Sequence, residues 1–257
     1  MKNNKQKKEI KPTTTLILSG RANSKQNTLV NPPISKGSTV TFKNVKQMRE
    51  SIATKHSQNL TYGRFGSETT FKFEKAITSL EGGYTTVATS SGTSAIIASL
   101  ISTLKNGDHI LMADSAYGAA KFATKNILKK MGIYFTFYNP LIGKNISKLI
   151  QKNTKVIYLE SPGSLTFETQ DLPLIIDIAK KNKCITIMDN TWATPLYFKP
   201  IKFGVDISIQ SATKYINGHS DSMLGTITAN KKLAENIRET THSLGSCPGP
   251  EDVYLGL

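Results

Sequence analysis

A chain of 257 residues, 38% hydrophobic and 20% charged, can bury a sizeable core as one large domain or two small ones. No apolar run approaches the ~18 residues a bilayer span requires and no secretory signal opens the chain, which points to a cytoplasmic protein without a membrane partner. The net charge of +15 raises nucleic acid as a partner, yet only Arg21, Arg49, Arg64 and Arg238 of the 33 basic residues are arginines. No nucleic-acid-binding motif accompanies them, so a solvated lysine-rich surface is expected instead.

The elements follow in order. The dense cluster Lys2, Lys5, Lys7, Lys8 and Lys11 reads as a basic tail. From Lys11 to about Asn59 the sequence is polar and broken by Pro12, Pro32 and Pro33, so residues 1–60 form an extended segment that packs on the main domain or on a second subunit. The loop Thr61 to Gly66 carries Tyr62 and Arg64, a phenol and a guanidinium suited to phosphate, although such a loop is also ordinary surface.

Helical spacing of Phe73, Ala76, Ile77 and Leu80 predicts a helix over Thr69 to Leu80, stopped at Gly82 and Gly83. The strand Tyr84 to Thr89 then runs into Ser90, Ser91, Gly92, Thr93 and Ser94 and a helix from Ile96 to Leu104. A strand, a small-residue turn and a helix start make an anion site at Gly92 and the Thr93 amide, or a plain N-cap. The strand Asp108 to Met112 ends near Tyr117, which can lie flat on an aromatic cofactor or pack in the core.

A helix over Ala119 to Lys130, a strand over Tyr134 to Tyr138, a helix over Ile146 to Lys152, a strand over Val156 to Leu159 and a helix over Leu172 to Lys180 continue the alternation. The fold class is therefore α/β, a mainly parallel sheet with helices on both faces. Helices are also expected over Lys232 to Leu244 and from Asp252 onward.

Two short Ile-rich runs, Cys184 to Met188 and Val205 to Gln210, read as buried parallel strands. The first ends in Asp189 and the second runs into Ser211, Ala212, Thr213 and Lys214. Ligands collect at strand carboxyl ends in such sheets, so the acid and the lysine can face one crevice. An acid to protonate a ring nitrogen and a lysine to form an imine are what pyridoxal phosphate chemistry needs; a capping Asp and a surface Lys are the plainer account of the pair. Cys184 and Cys247 are too few for a disulfide framework, and His56, His109, His219 and His242 lack metal-ligand spacing, so no metal is expected.

The pieces TYGRFGSET, SSGTSA, DSAYG, LESPGS, DNTWATPLYFKP and SIQSATKYINGHSDSMLGT, spanning nearly all of Tyr62 to Thr226, resemble the cysteine and methionine metabolism family of fold type I pyridoxal phosphate enzymes. The resemblance implies an aminotransferase-like large domain over residues 61–257. It implies Lys214 as the imine-forming residue and proton carrier, Asp189 as the partner of the ring nitrogen, and Tyr117 stacked on the ring. Gly92, Thr93, Ser211 and Thr213 would hold the phosphate, and Tyr62 and Arg64 would reach the phosphate of a neighbouring subunit in a homodimer or homotetramer.

ESPGS and DNTW are similar to the family's β-lyase branch. That similarity implies β-elimination of cystathionine or related cysteine S-conjugates to a thiol, pyruvate and ammonia, in methionine biosynthesis or trans-sulfuration. Family members continue into a smaller C-terminal domain carrying an arginine for the substrate carboxylate, which these 257 residues are expected to lack. The alternatives are a γ-synthase or γ-lyase of the same family, or an inactive remnant kept as an assembly module.

Overall fold

The computed structural model describes residues 10–21, 29–54 and 57–257. Of the basic tail only Lys11 falls among them, and His56 lies outside them.

The elements in chain order are α1 (Pro12–Leu18), α2 (Val45–Ala53), α3 (Glu68–Glu81), β1 (Thr85–Thr89), α4 (Gly92–Thr103), β2 (His109–Ala113), α5 (Gly118–Ala123), β3 (Tyr134–Tyr138) and β4 (Thr154–Glu160). They continue with α6 (Leu172–Lys181), β5 (Ile185–Asp189), α7 (Thr194–Tyr197), α8 (Pro200–Phe203), β6 (Ile207–Gln210), β7 (Gly225–Ala229), α9 (Ala234–Ser243) and α10 (Pro250–Gly256). No helix of the described residues is long and apolar enough to cross a membrane.

Seven strands form one sheet in the order β1-β7-β6-β5-β4-β2-β3. The β2–β3, β2–β4, β4–β5 and β5–β6 pairs are parallel, while β7 runs against both β1 and β6. The sheet is thus mainly parallel, and β7 is the strand that sequence periodicity did not reveal. Gly225 opens it beside the turn after β1, where a Cβ would lie 2.3 Å from the Ser91 carbonyl oxygen.

Successive residues point to opposite faces, which splits the core in two. Val156, Tyr158, Ile187, Ile207 and Ile209 pack with Ile96, Leu100 and Ile237 of α4 and α9. Leu111, Ile157, Leu159 and Met188 pack with Ile175, Ile176 and Ala179 of α6. A third cluster joins Phe73, Ile77 and Leu80 of α3 to Ala88, Leu224 and Val253. Helices cover both faces, as expected for strands apolar on both sides.

α3 begins where the Ser67 hydroxyl accepts the Thr70 amide and ends at Gly82 in the left-handed region, φ 71°. The helix expected over Ile146 to Lys152 is instead a 3-10 turn, Gly143–Leu149. Ile142, Ile146, Leu149 and Ile150 reach the α6 face from it, a spacing of three to four residues that a tight turn satisfies without a full helix. The helix after Tyr117 widens into a π turn at Thr124–Leu128, where the Thr124 hydroxyl donates to the Ala120 carbonyl at 2.9 Å.

The N-terminal segment packs on α3. Thr69 Oγ1 donates to the Pro33 carbonyl and accepts the Ser35 amide, and the Gly63 amide donates to the Ser38 carbonyl at 2.7 Å.

Candidate cofactor site

The carboxyl ends of β1, β5 and β6, which run in the same direction, carry the chemistry at one edge of the sheet. Asp189 is the last residue of β5 and is 5% exposed. Its Oδ1 accepts the Thr191 amide at 3.0 Å, and the Thr191 hydroxyl accepts the Ser211 amide at 2.8 Å. The β5 end is thereby fastened to the first residue beyond β6. Lys214 follows in a tight turn, its amide donating to the Ser211 carbonyl at 2.9 Å, with the side chain exposed.

The turn between β1 and α4 closes on the same residue. Gly92 is buried against Ser211 so tightly that a Cβ would stand 1.9 Å from Ser211 Oγ and 3.0 Å from its Cα. Ser91 caps α4 by accepting the Ser94 amide at 3.1 Å, and the first i→i+4 bond runs from the Ala95 amide to the Ser91 carbonyl. The Gly92 and Thr93 amides precede that bond, so they face out of a twelve-residue helix whose dipole favours an anion. The expected neighbours Asp189, Ser211, Gly92 and Thr93 are therefore brought to one place.

Tyr117 does not pack in the core. It is 48% exposed at the start of α5, and its backbone amide donates to Glu160 Oε2 at 2.7 Å. Glu160 ends β4 directly in register with Asp189. Sequence reasoning missed it and Thr191, although LESPGS and DNT place both at strand ends. Burial pushes the Glu160 carboxyl up to about 8, helped by the charge of Asp189 and opposed by the Tyr117 amide and Lys121. Burial also raises Asp189, against two hydrogen bonds from Thr191 that favour its charged form.

Two expected residues are engaged elsewhere. The Thr213 hydroxyl donates to the Leu224 carbonyl and accepts the Leu224 amide, both at 3.0 Å, which ties the lysine turn to the start of β7. Through these bonds the side chain braces the turn. Arg64 donates to the His242 carbonyl and lies 4.5 Å over the Phe65 ring. With Tyr62 it lines a cleft of about 560 Å³ that also includes Lys36, Ser246 and Pro250. Ser246 Oγ lies 2.9 Å from Ser94 Oγ and accepts the Ser90 amide, so this cleft backs onto the α4 turn from outside.

The donor set suits a phosphorylated aromatic aldehyde. Backbone amides and the Ser211 hydroxyl would suit the anion, the buried acid Asp189 a basic ring nitrogen, and the exposed Lys214 the carbonyl. Such an arrangement belongs to α/β enzymes that use pyridoxal phosphate. Residues 13–257 match the family model of the Cys/Met metabolism PLP-dependent enzymes, and the chain belongs to that family.

A Saccharomyces cerevisiae protein named as a cystathionine beta-lyase is 42% identical over 95% of this chain and 70% of its own length. The cystathionine beta-lyase MetC of Escherichia coli is 38% identical over 94% of this chain and 62% of its own. The crystal structure of a cystathionine gamma-lyase from Lactobacillus plantarum, complexed with L-serine, superposes with a TM-score of 0.86 at 30% identity, over 96% of this chain and 62% of that one. The chain thus spans less than two thirds of the last two.

Proposed function

We propose that this chain is the cofactor-binding part of a carbon–sulfur lyase of the cystathionine β-lyase type. The observation that carries the cofactor part is the Asp189–Thr191–Ser211 link closed by Gly92, which joins a buried acid, an anion-binding turn and the lysine turn. When bound, pyridoxal phosphate supplies an electron sink for a substrate carbanion.

This chain's residues do the rest. The Gly92 and Thr93 amides and the Ser211 hydroxyl bind and orient the phosphate. Asp189 would hold a proton on the ring nitrogen, and Lys214 would anchor the cofactor and, with its Nζ freed by the incoming substrate amine, would carry the substrate's α-proton. Tyr117 covers one face of the ring. Thr213 supports Lys214 from behind, through Leu224.

The β-lyase assignment is supported by the two relatives that carry that name and by ESPGS and DNTW in this sequence. Cystathionine or a related cysteine S-conjugate is the proposed substrate. Tyr62 and Arg64 are proposed to serve the phosphate of a neighbouring copy in a homodimer or homotetramer. That role requires Arg64 to leave the His242 carbonyl. Residues 61–257 are proposed as the cofactor domain proper, and the cytoplasm as its compartment.

The test is product analysis of the protein loaded with pyridoxal phosphate. Pyruvate from cystathionine supports the β-lyase reading, 2-oxobutyrate assigns the γ-lyase reaction instead, and a loaded protein that yields neither assigns this chain cofactor binding without turnover.

A further inference from the structure

Glu160 belongs to none of the roles assigned above, yet it is the second carboxyl of the site. It pairs with Asp189 across β4 and β5, so the two side chains leave the same face of the sheet at the same level. Both are largely buried, Glu160 9% and Asp189 5% exposed. Two carboxylates so placed cannot both ionise cheaply, and the pair shares its titration.

The surroundings decide which one keeps the proton. Asp189 receives the Thr191 amide and hydroxyl. Glu160 receives the Tyr117 amide at Oε2, and the nearby cation Lys121 is turned to Asp114, whose carbonyl it bonds at 2.7 Å. Another titratable group, Tyr158, lies two residues before Glu160 on β4; it is a fully buried phenol without a hydrogen-bond partner among the described residues, and burial holds it neutral, helped by the charge of Asp189. Hydrogen bonding therefore favours charge on Asp189, and burial beside that charge raises the Glu160 carboxyl.

We propose that Glu160 is a positioning residue of the cofactor site: it fixes the Tyr117 backbone through the amide and keeps the proton of the carboxyl pair, leaving Asp189 as the charged member that meets the ring nitrogen. The inference rests on the pyridoxal phosphate reading. It explains why a carboxyl is buried where an aliphatic strand end would suffice for packing. The neutral acid still accepts the Tyr117 N–H, so positioning and proton-holding do not conflict.

Two measurements test it. In the cofactor-free protein near neutral pH, infrared spectra of wild type minus E160Q show a protonated-carboxyl band, and in D189N the Glu160 band titrates at lower pH because its charged neighbour is gone. A difference spectrum without that band overturns the proposal, as does a band lost in D189N but kept in E160Q.

In pyridoxal phosphate titrations, E160A binds about tenfold more weakly, the scale of one lost hydrogen bond, and E160Q recovers most of the loss. Equal weakening in E160A and E160Q, or none in E160A, contradicts the assignment. Failure of the wild type to bind pyridoxal phosphate instead sinks the functional reading, while the infrared arm still reports on Glu160 alone. If E160A does not fold, E160Q and the infrared arm decide.

Discussion

Arg238 is the perturbation that most directly probes how the site is braced. Its guanidinium donates to Glu74 Oε2 at 2.9 Å, to the Thr86 carbonyl at 2.7 Å and to Thr85 Oγ1 at 3.2 Å. The two side chains of the pair are only 3% and 2% exposed. Glu74 also accepts the Ala88 amide at 3.0 Å, so one ion pair joins α9, α3 and β1 just ahead of the α4 turn.

Replacing Arg238 by Met keeps much of the stem's packing but strands a buried carboxylate and a buried carbonyl. Breaking a buried pair from one side costs about 3–5 kcal/mol, against a total stability of about 5–15 kcal/mol. Adding E74Q removes the stranded charge, so R238M/E74Q is less destabilised than R238M alone by ~2 kcal/mol. Urea unfolding followed by circular dichroism measures all three variants and the wild type. A loss below ~1 kcal/mol in R238M, or strict additivity in the double variant, refutes the reasoning.

Other outcomes follow from single contacts. G92A puts a methyl group into the Ser211 side chain and against its Cα, so stability falls by about 1–3 kcal/mol and pyridoxal phosphate affinity drops at least tenfold, measured by thermal melts and absorbance titration. D189N leaves the fold intact and weakens cofactor binding, whereas an unchanged affinity argues against Asp189 as the ring-nitrogen partner. Burial pushes the Glu81 carboxyl, which accepts from Ser208 and Gln210, up from 4.5 to about 7. The folded state then binds the proton more tightly than the unfolded one, so the contribution of Glu81 to stability is fully present below about 4.5 and falls by up to about 3 kcal/mol as pH rises to 7. E81Q flattens that slope in urea midpoints taken from pH 5 to about 8.

Much of this was legible in the chain because local signals agreed with the tertiary outcome. The 3.6-residue spacing of Phe73, Ala76, Ile77 and Leu80 with Gly82 behind it predicts α3, whose Ser67 cap lies one residue ahead of the helix. The Ile-rich runs before Asp189 and Ser211 became β5 and β6 because they are buried on both faces. β7 escaped because GTITA is short, follows a motif read for its chemistry, and runs against its neighbours.

Site residues divided the same way. Asp189, Gly92 and Ser211 meet because strand ends in a parallel sheet must converge. The turn of Thr213 toward Leu224 and of Arg64 toward His242 depends on partners 11 and 178 positions away, which no local pattern encodes.

The central claim is that Lys214 and Asp189 serve one pyridoxal phosphate. Borohydride reduction of the protein with added pyridoxal phosphate, followed by peptide mass mapping, tests it in one step. The account predicts a single modified lysine at Lys214, abolished in K214A and weakened in D189N. Labelling spread over surface lysines and unchanged in K214A contradicts it.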